Sequence, residues 1–92
     1  MSGAGYRSLE FTEEFLDTYA SRDFSPSERG FLKKALRLLD QNEQHPSLRM
    51  HQFWGPLAGV WSVSASDALR LTFERTEGGG KRLLTCSRHY DR

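Results

Sequence analysis

The stretch HPSLRMHQFWGPLAGVWSVS, residues 45–64, decides how this chain folds. Upstream of it apolar residues recur at helical spacing; downstream they alternate with a period of two. Pro46 cannot continue a helix, and Pro56, between Gly55 and Gly59, forces a second change of direction. The stretch therefore predicts a strand over residues 48–54, a turn over 55–59 and a second strand over 60–65. It also holds two of the three histidines and both tryptophans, so architecture and candidate chemistry coincide.

Toward the N-terminus, Ser25-Pro26-Ser27-Glu28 predicts a helix start. Ser25 caps the free amides, Pro26 has no amide to lose at the first position, and Glu28 reaches back to close a capping box. Phe31, Leu32, Ala35, Leu36, Leu38 and Leu39 then make one apolar stripe, which predicts a helix over 26–41. Thr12, ahead of Glu13, Glu14 and the set Phe15, Leu16, Tyr19 and Ala20, predicts a shorter helix ending between 21 and 24. Residues 6–11 read as a first strand, with Leu9 and Phe11 on one face. Residues 1–5 read as a flexible leader, and 6–92 as one domain.

Toward the C-terminus, Ser66-Asp67 makes a tight turn and residues 68–76 form the cleanest strand. Leu69, Leu71 and Phe73 point to the core; Arg70, Thr72 and Glu74 point away. Three glycines at 78–80 make a loop, and 82–87 a last strand. The order β-α-α-β-β-β-β predicts an α+β fold: an N-terminal strand, a helical hairpin and a four-stranded antiparallel meander. The helices pack on one face of the twisted sheet and leave the other open.

Composition narrows the classes. The single cysteine, Cys86, excludes an internal disulfide and points to a reducing compartment, the cytoplasm. No apolar run is long enough to cross a bilayer, and no basic start precedes a hydrophobic segment. The net charge of +1 hides an asymmetry. Residues 1–45 carry six Lys/Arg against eight Asp/Glu, a formal −2, and residues 46–92 carry seven against four, a formal +3. That bias favours an anionic partner over the C-terminal half.

Arg70 is the leading candidate for chemistry, because a guanidinium on an uncovered face grips phosphate and stabilises transition-state charge. The alternative is a surface arginine paired with Asp67 or Glu74. His51, with Arg49 and Phe53 on its face, is a candidate acid or base near neutral pH. His89 and Tyr90, near the chain end, are placed to return beside the central strands. His45, His51, His89 and Cys86 show no metal-ligand spacing, so neither a metal nor any other cofactor is expected. The glycines at 78–80 are not followed by a helix and make no phosphate loop. Trp54 and Trp61 read as packing groups rather than base-stacking platforms, although Trp54, beside a turn, can be exposed.

With HPSLRMHQFWGPLAGVWSVS, then ALRLTF, then the ending CSRHYDR, the chain resembles the RelE/ParE toxin superfamily of bacterial toxin–antitoxin systems. Within it the likeness is to the ribosome-dependent mRNA endoribonucleases of the RelE and YoeB kind. It spans residues 6–92 and is most specific at Leu57-Ala58-Gly59-Val60-Trp61-Ser62, at Leu69-Arg70-Leu71 and at Arg88-His89-Tyr90. The resemblance implies metal-independent cleavage of mRNA in the A site of the 30S subunit, by attack of the 2′-hydroxyl on the adjacent phosphate. It also implies a cognate antitoxin as partner. Arg70 matches the family's phosphate-stabilising arginine, and His89 and Tyr90 match a C-terminal pair, the histidine as general acid. His51 stands where the YoeB-like group has a carboxylate base, a departure that an imidazole can fill. Arg49, Arg88, Lys81 and Arg82 are expected RNA contacts, and His45 either an RNA contact or a loop anchor. The ParE branch shares the fold but inhibits DNA gyrase, so a toxin without nuclease activity is the alternative, as is an inactive protein-binding relative.

Overall fold

The computed structural model describes residues 5–88. Of the expected leader only Gly5 falls within it, and His89 and Tyr90 lie outside the described residues. The order is β1 (Leu9–Phe11), α1 (Glu13–Ser21), α2 (Pro26–Gln41), a 3-10 turn at Pro46–Leu48, and β2 (His51–Gln52). A second 3-10 turn at Gly55–Leu57 leads to β3 (Val60–Ser64), β4 (Leu69–Arg75) and β5 (Lys81–Arg88). The five strands lie in the order β1-β5-β4-β3-β2. Strands β2 to β5 form the antiparallel meander, while β1 joins the far edge parallel to β5.

Both helices start where their caps dictate. The Thr12 hydroxyl accepts from the Phe15 amide at 3.0 Å, and Ser25 and Glu28 form a reciprocal capping box at 3.1 and 2.8 Å. Leu32, Ala35, Leu36 and Leu39 of α2 are buried against Val63, Leu69, Leu71, Phe73, Leu83 and Cys86 of the sheet. Burying one such leucine is worth about 1.5–3 kcal/mol, which explains why the helices cover one face and leave the other bare. Leu48, from the first 3-10 turn, is wholly buried in the same core.

Two expectations from sequence need correction. The strand expected over 48–54 shrinks to His51–Gln52. Pro46 starts a 3-10 turn capped by His45, and Arg49 takes a left-handed conformation at φ 48°, which breaks the extended chain. The N-terminal strand is also shorter than expected, because Arg7 and Ser8 donate their amides to the Asp40 carboxylate instead of to a neighbouring strand.

A bulge in β5 sets which side chains reach the open face. Thr72 pairs with Thr85 and Phe73 with Leu83, so the register skips Leu84. The extra residue resets parity. Lys81, Leu83 and Cys86 are buried, while Arg82 and Thr85 meet Glu74 and Thr72 of β4 on the other face. Without the bulge, Ser87 would turn to the helices and leave the side of Arg70.

Candidate functional site

The open face is built by register. His51 of β2 pairs with Ser62 of β3, Ser62 with Thr72 of β4, and Thr72 with Thr85 of β5. Arg70, two residues from Thr72, sits between Ser64 and Ser87. Side chains directly opposite in a sheet share a face, so the result is a hydroxyl-lined floor carrying one arginine and one histidine. Thr72 and Thr85 join their hydroxyls at 2.6 Å across the floor. His51, Phe53, Ser62, Arg70, Thr72 and Ser87 line one shallow concavity of about 220 Å³, and Arg88 reaches its rim.

Arg70 is held by carbonyls, not by carboxylates. One terminal nitrogen, Nη1, donates to the backbone oxygens of Ser66, Asp67 and Leu69 at 2.8, 3.1 and 3.0 Å. Pairing with Asp67 or Glu74 does not occur: Asp67 offers its backbone oxygen, and Glu74 accepts from Arg82 at 2.8 Å. Nε and Nη2 of Arg70 make no hydrogen bond among the described residues, so the charge is oriented by the β3–β4 turn and left without a counter-charge. A guanidinium with two directions of its fork open is the group that binds a phosphate bidentately.

The two histidines use their ring nitrogens in opposite ways. His51 is exposed, and its Nδ1 lies 3.3 Å from the Arg49 carbonyl, an oxygen that can only accept. A carbonyl at that position favours the tautomer with its proton on Nδ1, which leaves the lone pair on Nε2, as a base requires. Phe53 meets the ring edge-on at 5.7 Å between centroids. His45 instead accepts at Nδ1 from the Ser47 amide and hydroxyl, at 3.2 and 2.9 Å, and so caps the 3-10 turn. Of the two roles open to His45, the loop anchor is the one these bonds describe.

The expected RNA contacts separate. Arg49 is exposed on the turn beside His51. Arg82 lies on the open face between Glu74 at 2.8 Å and Glu10 at 3.4 Å. The Glu74 hydrogen bond and the Glu10 charge push its pKa above the ordinary arginine value. Arg88 turns its guanidinium to the helices, on Glu28 at 2.9 and 3.0 Å, on the Asp23 carbonyl and over the Phe24 ring. Lys81 does not fit the role: it is only 5% exposed, with its ammonium on Glu43 at 3.2 Å and on the Ser8 hydroxyl at 3.1 Å. Its parity with Leu83, read from sequence, was the signal that it faces inward.

Sequence reasoning also misplaced Trp54. Instead of packing, it is 91% exposed at the start of the β2–β3 loop. Trp61 does pack, stacked on Phe73 with Arg75 over its face.

No protein-family model and no curated protein sequence matches the chain. Solved structures do. A YafQ variant from E. coli superposes with a TM-score of 0.72 at 15% identity, over 90% of this chain and 93% of that one. A YoeB/ParE toxin from Agrobacterium tumefaciens gives 0.65 at 20% identity, over 91% and 100%. A chain of the toxin–antitoxin complex RelBE2 from Mycobacterium tuberculosis gives 0.61 at 15%, over 91% and 99%. The fold is therefore that of the RelE/ParE-type toxins. Among the described residues no helix is long and apolar enough to cross a membrane.

Proposed function

We propose that this chain is the toxin of a bacterial toxin–antitoxin system, a member of the RelE/ParE superfamily that cleaves mRNA in the ribosomal A site without a metal. The observation that carries this reading is Arg70: an arginine oriented by three carbonyls, with no carboxylate partner among the described residues, in one concavity with an exposed imidazole. The fold shared with toxin structures supports the class. A cytoplasmic antitoxin partner follows from the same reading.

In the mechanism, Nε2 of His51 takes the proton of a ribose 2′-hydroxyl. The freed oxygen forms a bond to the adjacent phosphorus, and the bond from phosphorus to the 5′-oxygen of the next nucleotide breaks. The leaving oxygen takes a proton from His89, giving a 2′,3′-cyclic phosphate and a 5′-hydroxyl. Arg70 faces the non-bridging oxygens with Nε and Nη2, where negative charge grows in the transition state. Its third nitrogen, fixed to the turn, spares the cost of orienting the fork. Tyr90 holds the substrate nucleotide, and Arg49 contacts the RNA backbone.

Primer extension on a message translated in extract tests the proposal. Wild-type protein is expected to leave discrete cuts within codons, and R70A and H51A to leave the message whole. Uncut message with folded wild-type protein, or cutting by R70A equal to wild type, overturns it. Uncut message together with loss of gyrase supercoiling activity would establish the ParE-like alternative.

A further inference from the structure

We propose that Trp54 and Phe53 form a base-stacking wall that receives one nucleobase beside the phosphate held by Arg70. This inference rests on the nuclease reading above and names the part of that site which reads the base. Exposed Trp54 and half-buried Phe53 stand side by side and give the start of this loop an aromatic surface open to water. Trp54 is not loosely hung. The Phe53 amide closes the loop stem on the Val60 carbonyl at 2.9 Å, and the Ala58 amide closes its tip on the Gly55 carbonyl at 2.8 Å. Gly55, at φ 66°, and Pro56 then fix the reversal that carries the chain away from the indole.

Position gives the wall its ligand. Phe53, Trp54, Gln52, Ala58 and His51 line a mostly apolar hollow of about 380 Å³. His51 and Phe53 also line the concavity of Arg70. The two hollows therefore meet at the imidazole, one apolar and flanked by aromatic rings, the other floored by hydroxyls with an arginine. A flat apolar group joined by a short polar link to a phosphate is a nucleotide, and the proposed base, His51, stands at the link. Stacking on aromatic rings takes any base by its π-face, while Gln52 at the hollow's edge offers an amide to a base edge. An apolar protein segment would use the first hollow but has no use for the second, which is why RNA is the occupant argued here.

The test measures affinity for ribosomes programmed with an mRNA whose A-site residues carry 2′-O-methyl groups, which block cleavage. A parallel mRNA lacks the three A-site bases. W54A is expected to weaken binding to the base-bearing message roughly five- to hundred-fold, with W54F restoring most of it, and to leave binding to the abasic message unchanged. R70A is expected to weaken both. Because Trp54 is almost wholly exposed, thermal unfolding of W54A should match wild type. Equal affinity of W54A and wild type for the base-bearing message overturns the stacking wall, as does an equal loss on both messages. A W54A defect confined to antitoxin binding also overturns it, making the wall a protein contact. Failure of R70A to weaken either message strikes instead at the nuclease reading, so the two failures are distinct.

Discussion

At one end of the β4–β5 ladder Arg82 stands between Glu10 and Glu74; toward the other, Arg70 stands between Ser64 and Ser87. Both arginines occupy the same open face of the same two strands. Around the first, opposite charges are stacked through the sheet: beneath Arg82 the inward Lys81 meets Glu43, which also grips Arg75 at 2.9 and 3.0 Å. Around the second there are hydroxyls and carbonyls. The first end is neutral within itself and holds β1, β4 and β5 together. The second keeps a net positive charge aimed at solvent, next to His51. Position on a sheet thus says little about an arginine's role; whether its neighbours cancel its charge says much more.

The largest expected effect breaks this comparison outright if it fails. R70A should lower the rate of message cleavage roughly 10²–10³-fold, and R82A by no more than a few-fold, in a single-turnover assay. Similar losses in both would mean that charge cancellation does not separate the two ends. Next, E43Q should destabilise the protein by about 1–3 kcal/mol in urea denaturation, because it weakens the anchor of a buried ammonium, and should leave cleavage intact. The same variant has a pH signature. Hydrogen bonds from Arg75 and Lys81 hold the Glu43 carboxyl below its ordinary value despite partial burial. For Asp40, burial pushes upward but the bonds from Ser8 and Arg7 outweigh it, and the pKa is lowered. A lowered folded-state pKa gives stability that is present above the unfolded value and lost as pH falls through the folded one. Acid unfolding of the wild type should therefore steepen below about pH 4, and E43Q should flatten that part of the curve. The smallest effect sharpens the contrast: E10Q with E74Q should uncover Arg82 and steepen the salt dependence of RNA binding by about one phosphate contact.

Much of this was legible before any coordinates. The caps at Thr12 and Ser25 place both helices, because unsatisfied amides at a helix start need a particular side chain at a particular step. The alternation of Leu69, Leu71 and Phe73 aims Arg70 correctly, since a strand has no freedom in parity. What resisted reading depended on tertiary partners. The parallel pairing of β1 with β5 joins segments that share no local signal. The bulge at Leu84 leaves no mark in KRLLTCSR, yet it decides that Ser87 stands beside Arg70. Residues 48–50 fall in the expected strand, but the cap at His45 and the left-handed Arg49 break the extended chain there. Trp54 reads as packing because large aromatics usually are, and only its place beside the Gly55 turn points to the exposure it has.

The pairing of β1 with β5 also dictates an order of assembly. Thr12, the cap of α1, donates its amide and its hydroxyl to the Leu83 carbonyl, and Thr18 of α1 contacts Cys86. The first strand and first helix therefore have no sheet edge to lie against until the final strand has been synthesised. Loop closure over so long a separation is slow and comes late in folding. A chain emerging from the ribosome would hold its N-terminal segment in waiting until β5 has left the exit tunnel.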